Sequence, residues 1–343
     1  RVAVKVIRPG MASAEIIARF EAERQALALM EHPNIARVYD AGATPEGLPY
    51  FVMEFVDGVP LTTYCDSQRM TIRERLVLFA EVCEAVQHAH QKAILHRDLK
   101  PSNVLVTEVD GKPVPKVIDF GIAKALEVTQ EEVLQASLAR TQAGMVVGTP
   151  QYMSPEQAGS VPDVDTRSDV YTLGIILHEL LTGQTPLSRE DLKKAALDEV
   201  LRMIRDMETR RPSSRLVPAT DAICESATKR QTEPSKLSHT LRGELDWIML
   251  KALEKERERR YQSASLLAEA VRRYLRQEPV AAGPPQFRYR AVKFLRRHRG
   301  PVAAVVAVML TLIAATVFAM RAATRSEAAR KDARAALHRA ESE

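Results

Sequence analysis

Cysteine is scarce in this chain: Cys65, Cys83 and Cys224 are the only three in 343 residues, and no two form a CxxC pair. That spacing excludes a disulfide scaffold and a thiolate zinc site, and it fits a reducing compartment. No internal repeat is present, and no secretory signal stands at the start. The sequence opens at Arg1, already inside the strand-like run Val2-Ala3-Val4-Lys5-Val6-Ile7, so a fragment of a longer protein is expected. Nor is one sign of charge in large excess, the net charge being +5. A content of 45% hydrophobic and 27% charged residues is that of a globular chain rather than a disordered one. The length allows two or three units.

Long apolar runs are also lacking, with one exception. Val302 to Met320 is nineteen residues without a charge. As a helix it would be roughly 28 Å long, close to the hydrocarbon thickness of a bilayer, and it reads as a transmembrane span. Arg288, Arg290, Lys293, Arg296, Arg297 and Arg299 crowd into the twelve residues before it. A basic run in that place reads as a membrane-surface segment on the cytoplasmic side, with no nucleic acid as partner. Residues 321–343 alternate alanine with charge and predict an exposed helical start of an extracytoplasmic region.

The remainder changes character part-way. Val2–Ile7 predicts a half-buried strand, Ala14–Met30 a helix ended by His32-Pro33-Asn34, and Ile35–Tyr39 and Pro49–Val56 two more strands. Beyond them helical patterns dominate. Thr71 and Glu74 form a capping box ahead of a stripe of Ile72, Leu76, Phe79, Cys83 and Val86. Val104–Thr107 and Val114–Ile118 read as strands of a hairpin turned at Asp110-Gly111. Val170–Leu181 reads as a buried helix, residues 180–245 as a partly helical insertion, and Leu266–Leu275 as an amphipathic helix with Leu266 on its apolar stripe.

Chemistry concentrates in His96-Arg97-Asp98-Leu99-Lys100-Pro101-Ser102-Asn103 and, sixteen residues after Asn103, Asp119-Phe120-Gly121. One loop thus carries a carboxylate, an ammonium and an amide, and a following turn carries a second carboxylate. Phosphoryl transfer from ATP needs such a set, because one carboxylate orients a hydroxyl while the other and the amide hold magnesium against the phosphates. His88-Ala89-His90 does not read as a metal pair, since helix positions two apart point in different directions.

On these motifs, over about residues 1–277, the chain resembles the eukaryotic-type (Hanks-type) serine/threonine protein kinases of bacteria, lacking the N-terminal part of the domain. The resemblance implies an α+β, bilobal protein-kinase fold followed by a single transmembrane helix. Residues 1–56 would be a partial small β lobe, 57–278 a large, mainly helical lobe, 279–301 a basic juxtamembrane linker, 302–320 the span and 321–343 the start of an extracytoplasmic helical region.

The resemblance also assigns roles. Asp98 would orient the attacking hydroxyl and Lys100 would sit by the γ-phosphate; a lysine there marks serine/threonine rather than tyrosine specificity. Asn103 and Asp119 would be ligands of Mg²⁺, with Mn²⁺ as an alternative. Lys5 would contact the α- and β-phosphates of ATP and pair with Glu23, Glu21 being the second choice. Met53 would be the gatekeeper, the Glu54 carbonyl and Val56 amide would bond adenine, and Ala3 and Leu105 would cover its faces. Arg97 would meet a phosphate on the activation segment, where Thr129, Ser137, Thr141 and Thr149 are hydroxyl candidates and Thr141 is preferred. Thr149 would serve the substrate pocket, Glu156 would pair with Arg260, Asp169 would anchor the catalytic-loop backbone, and His96 would pack under Phe120.

The implied partners are protein substrates bearing Ser or Thr, the lipid bilayer, and a second copy in a homodimer that phosphorylates itself in trans. The implied localisation is the inner cell membrane, single-pass, with the kinase domain cytoplasmic. The glycine-rich loop of the family would lie before Arg1, so the fragment alone is expected to bind ATP poorly. The alternative reading is a catalytically silent pseudokinase or scaffold. A small-molecule kinase of related fold is disfavoured, because Gly148-Thr149-Pro150 and Ser154-Pro155-Glu156 resemble a peptide platform.

Overall fold

The structure, a computed structural model, describes residues 1–6, 30–45, 47–120, 150–159, 164–188, 190, 192, 195–216, 220–283, 304 and 307–322. The chain divides into two units, Arg1–Arg276 with Val280–Gly283, and Gln277–Pro279 with the residues from Pro284 onward.

The first unit begins with a three-stranded antiparallel sheet of β1 (Val2–Val6), β2 (Val38–Ala43) and β3 (Pro49–Glu54), in the order β1-β3-β2. Alternation along β3 buries Phe51 and Met53 on one face. The half-buried reading of the first strand needs correction: Val2, Val4 and Val6 are 52%, 58% and 49% exposed. The face of β1 that carries these valines is the outer one. The strand expected at 35–39 starts later, at Val38. Ala36 N and Val117 O, and Val117 N and Asn34 O, bond instead, so Ile35 bridges to the strand that leads into Asp119.

A second sheet has the order β4-β5-β6, with β4 Val59–Pro60, β5 Val104–Val109 and β6 Lys112–Val117. Asp110 and Gly111 both have positive φ, 50° and 70°, as the two-residue turn matched to strand twist requires.

Helices follow in the order α1 (Leu61–Ser67), α2 (Ile72–Gln91), α3 (Pro155–Ala158), α4 (Thr166–Thr182), α5 (Leu197–Asp206), α6 (Asp221–Thr228), α7 (Pro234–Leu241), α8 (Glu244–Ala252) and α9 (Ala264–Leu275). The Thr71–Glu74 capping box starts α2, and its stripe of Leu76, Phe79, Cys83 and Val86 is fully buried. α4 lies at the centre: Leu173, Ile176, Leu177 and Leu180 have no exposure. Burying such side chains contributes about 1.5–3 kcal/mol each. On α9 the buried stripe is Leu267, Ala268, Ala270 and Val271, whereas Leu266 is exposed.

The patterning did not foresee Arg75, a cation in the buried face of α2. Its guanidinium donates to Asp66 Oδ1 (2.7 Å) and to the carbonyls of Met70, Cys65 and Lys229 (2.8 Å each) and Leu180 (3.2 Å). A buried charge is tolerable only with its donors satisfied in this way.

In the second unit residues 307–322 are helical, and Val308, Leu310, Ile313 and Phe318 are exposed. Among the described residues no helix is long and apolar enough to cross a membrane.

Candidate active site

The loop after α2 is held from below by one carboxylate. Asp169, in the first turn of α4 and buried, accepts from His96 N at 2.8 Å (Oδ2) and from Arg97 N at 2.9 Å (Oδ1). His90 Nε2 lies 2.8 Å from Oδ2. Burial pushes this carboxyl up, but the His90 hydrogen bond, the nearby His90 and His96 rings and the His96 amide outweigh it and hold it below the usual range. Asp169 therefore presents a fixed anion to two consecutive backbone amides.

His96 is itself buried. Its Nε2 is 3.0 Å from the Ile118 carbonyl and its ring centroid is 4.7 Å from that of Phe120. Burial lowers its pKa, and Nε2, facing a carbonyl, carries a proton. Arg97 and Asp119 both adopt the left-handed backbone region, φ 64° and 63°. Non-glycine residues are seldom found there, and the surroundings must hold them.

Further contacts run within the loop and from it to the residue before Asp119. Lys100 Nζ is 2.6 Å from Asp98 Oδ2. Asn103 Nδ2 donates to the Asp98 carbonyl at 2.8 Å and to its Oδ2 at 3.2 Å. The Asn103 carbonyl then accepts from Ile118 N at 2.9 Å, one residue before Asp119. From the small sheet, Lys5 Nζ reaches Asp119 Oδ1 at 3.0 Å. Lys5, Asp98, Asn103 and Asp119 thus gather through a short series of direct contacts, although 114 positions separate the first from the last.

The donor set suits a hard cation. The Asn103 Nδ2 is committed to Asp98, so the amide oxygen is the atom it can offer, and Asp119 Oδ2 lies beside the oxygen that Lys5 holds. Mg²⁺ binds proteins through one or two such oxygens together with substrate phosphates. Among the described residues there is no group of three or more His, Cys, Asp or Glu placed to hold a metal.

Ala3 and Met53 are register partners across β1 and β3, and Leu105 is half-buried on β5. Gly58 permits the approach of β5, since a Cβ there would stand 2.9 Å from the Val106 carbonyl and 3.1 Å from Leu105 Cβ. Glu54 has a second engagement that its motif did not announce. Its N–H donates to the Arg37 carbonyl at 2.8 Å, and its carboxylate takes Lys116 Nζ at 2.6 and 2.8 Å. Val56 lies in the link Phe55–Gly58 between the sheets.

Glu156 and Arg260 form a buried two-point pair, Nη1–Oε1 2.7 Å and Nη2–Oε2 2.8 Å. Ser168 also donates to Glu156, and Arg260 stacks 4.9 Å from the Tyr171 ring centroid. Burial raises the Glu156 carboxyl; Arg260 and Ser168 more than reverse this and leave it below its ordinary value. Glu23, Thr129, Ser137, Thr141 and Thr149 lie outside the described residues. His90 and Lys116 escaped the motif reading, because each acts on a residue more than sixty positions away.

Residues 1–271 match the family model described as protein kinase domain. The chain is 37% identical over 286 residues to the serine/threonine-protein kinase PknB of Mycobacterium tuberculosis, covering 82% of this chain and 40% of that protein. It is 36% identical over 273 residues to the serine/threonine-protein kinase Pkn1 of Myxococcus xanthus (79% of this chain, 34% of that protein). A probable serine/threonine-protein kinase of Streptomyces coelicolor is 34% identical over 287 residues, 82% of this chain and 37% of that protein. The chain therefore spans about two fifths or less of the length of these relatives.

Proposed function

This chain belongs to the protein kinase domain family, and from that premise we propose that it transfers the γ-phosphate of ATP to serine and threonine hydroxyls of proteins. The observation that carries the reading is the gathering of Lys5, Asp98, Asn103 and Asp119. The names of the relatives, serine/threonine-protein kinases, support the same chemistry.

Lys5, freed from Asp119, places its ammonium on the α- and β-phosphates. Asp119 and the Asn103 amide oxygen hold Mg²⁺, with Mn²⁺ as a substitute; when bound, the ion neutralises charge on the phosphates. Asp98 accepts a hydrogen bond from the attacking hydroxyl and turns its lone pair toward phosphorus. Lys100, already on Asp98, is placed to offset the negative charge that develops on the transferred group. Met53, the Glu54 carbonyl, Val56, Ala3 and Leu105 form the adenine side. Glu23 is the acidic partner of Lys5 once nucleotide is bound, Arg97 receives a phosphate on Thr141, and Thr149 faces the substrate.

Beyond the kinase unit, the basic run 288–299 and the uncharged segment 302–320 support a single-pass anchor in the inner membrane, with the kinase portion cytoplasmic. Carbonate extraction of membranes carrying the intact protein checks this, and recovery in the soluble fraction refutes it. Trans-phosphorylation within a homodimer is checked by mixing wild-type protein with a tagged Asp98→Asn copy and following label on the tagged copy.

The decisive experiment on the main reading is transfer from [γ-³²P]ATP by the intact protein beside its Asp98→Asn variant. Loss of at least about a hundredfold in rate is expected. Equal incorporation would exclude catalysis by Asp98, and no incorporation by either protein would favour a scaffold that is catalytically silent.

A further inference from the structure

We infer that Gln157 is a positioning residue for phosphoryl transfer, its side-chain amide holding the peptide unit that joins Arg97 to Asp98. The inference rests on the kinase reading above and goes beyond it, because none of the roles assigned to the site includes Gln157.

Gln157 stands at the third position of α3. Its Oε1 accepts from Ser154 N at 2.9 Å, and its own N–H is within 3.4 Å of Ser154 Oγ, which makes a capping box. A glutamine amide carries one acceptor oxygen and two donor hydrogens. With the oxygen spent on Ser154, the Nε2 group points away from the helix, and 2.8 Å from it lies the carbonyl of Arg97, sixty residues earlier. The two partners fix the orientation of the amide: a flipped group would set NH₂ against N–H and oxygen against oxygen.

The accepting carbonyl belongs to the peptide bond whose nitrogen is that of Asp98. Rotation of that peptide plane swings the Asp98 Cα and its carboxylate. Arg97 needs such restraint, being at φ 64°. Its N–H is fixed by Asp169 and its carbonyl by Gln157, so the residue before the catalytic carboxylate is gripped at both ends. Packing of the Asp98 side chain supplies little restraint, because that side chain is 55% exposed. The far end of the grip is firm, since α3 is pinned next door by the Glu156–Arg260 pair. A hydrogen bond of ordinary length therefore ties the Ser-Pro-Glu-Gln helix to the geometry of the nucleophile site.

The test uses the intact protein, [γ-³²P]ATP and the best acceptor from a serine/threonine peptide library. Gln157→Glu keeps the shape and the acceptor for Ser154 N but sets a carboxylate against the Arg97 carbonyl. At pH 8 its kcat is expected to fall about tenfold while the KM for ATP changes less than about twofold, the pattern of a lost transition-state interaction. Protonation of the new carboxyl restores a donor, so the ratio of variant to wild-type kcat rises about threefold or more as pH falls from 8 to 5.5. The ionisable groups around the contact are Asp98 with Lys100, Arg97, Asp169 with His90 and His96, and Glu156 with Arg260. All are common to both proteins and cancel in the ratio.

Gln157→Met, which has no proton to regain, is expected to show the same loss at every pH. Should the glutamate variant not fold, the methionine variant carries the test alone, and a folded Gln157→Met with wild-type kcat overturns the inference. A flat Gln157→Glu ratio across the pH range overturns it too. Wild-type activity that survives in Asp98→Asn would sink the kinase reading and this inference with it. Activity abolished in Asp98→Asn but untouched in both Gln157 variants would sink the inference alone.

Discussion

Replacing Asp169 by asparagine tests how the catalytic loop is held. The carboxylate serves three donors, His96 N, Arg97 N and His90 Nε2, from a position 1% exposed. The asparagine is nearly isosteric, but its single oxygen can face only one side. Its NH₂ must then oppose one or two donors in buried or part-buried contacts. Each buried donor left unsatisfied costs about 1–3 kcal/mol, and charge assistance is lost as well, so a destabilisation of about 3 kcal/mol is expected. For a domain of this size that corresponds to a fall in Tm of about 6–12 °C.

The same carboxyl titrates below its ordinary value of 3.8 in the folded protein. A folded-state pKa that is depressed contributes stability above the unfolded value and loses it as pH falls through the folded one. The gap between wild type and Asp169→Asn is therefore complete above about pH 5, and it narrows as pH falls below 3.8 toward the depressed folded value. Urea unfolding followed by the fluorescence of Trp247, the one tryptophan of the chain, reads both quantities. A gap under 1 kcal/mol at neutral pH, or one still undiminished at pH 3, would refute the assignment of Asp169 as the anion beneath residues 96–98.

Three other outcomes are expected. Glu156→Gln leaves the fully buried Arg260 without its charge partner and should cost about 3–5 kcal/mol, most of it recovered when Arg260→Met is added; calorimetry of the single and double variants decides, and an additive double loss contradicts the pairing. Lys5→Met should lower kcat by about a hundredfold or more with a Tm change of under about 3 °C, because Lys5 and Asp119 are 43% and 30% exposed and such pairs contribute little to stability. A thiol reagent at pH 8 should titrate Cys224 quickly and the other two only on unfolding: burial pushes Cys65 up to about 11 and Cys83 well up, whereas Cys224 is exposed. Three equally fast thiols would contradict the packing of α1 and α2.

Local patterning carried much of the fold. The capping box at Thr71, the hairpin at Asp110-Gly111 and the apolar run of α4 are short-range signals, and the structure places an element at each. Patterning failed where a residue answers to distant neighbours. The valines of β1 look like a buried face, yet they stand on the exposed side of the small sheet. The strand expected at residue 35 yields to Val117, eighty-two positions on. Arg75 breaks the stripe of α2 because carbonyls of α1, α4 and the end of α6 converge on it.

The amino-acid order by itself determined the chemistry available: which carboxylates, ammonium groups and amides lie within one loop and one turn, and hence the family. Their spacing along the backbone is covalent, and no folding is needed to read it. Only the tertiary structure decided who holds them in place. Lys116 on Glu54 and Gln157 on the Arg97 carbonyl each join groups sixty or more residues apart. Hydrogen bonds act over about 3 Å of space, not along the sequence, so such partners become visible only once the chain has closed on itself.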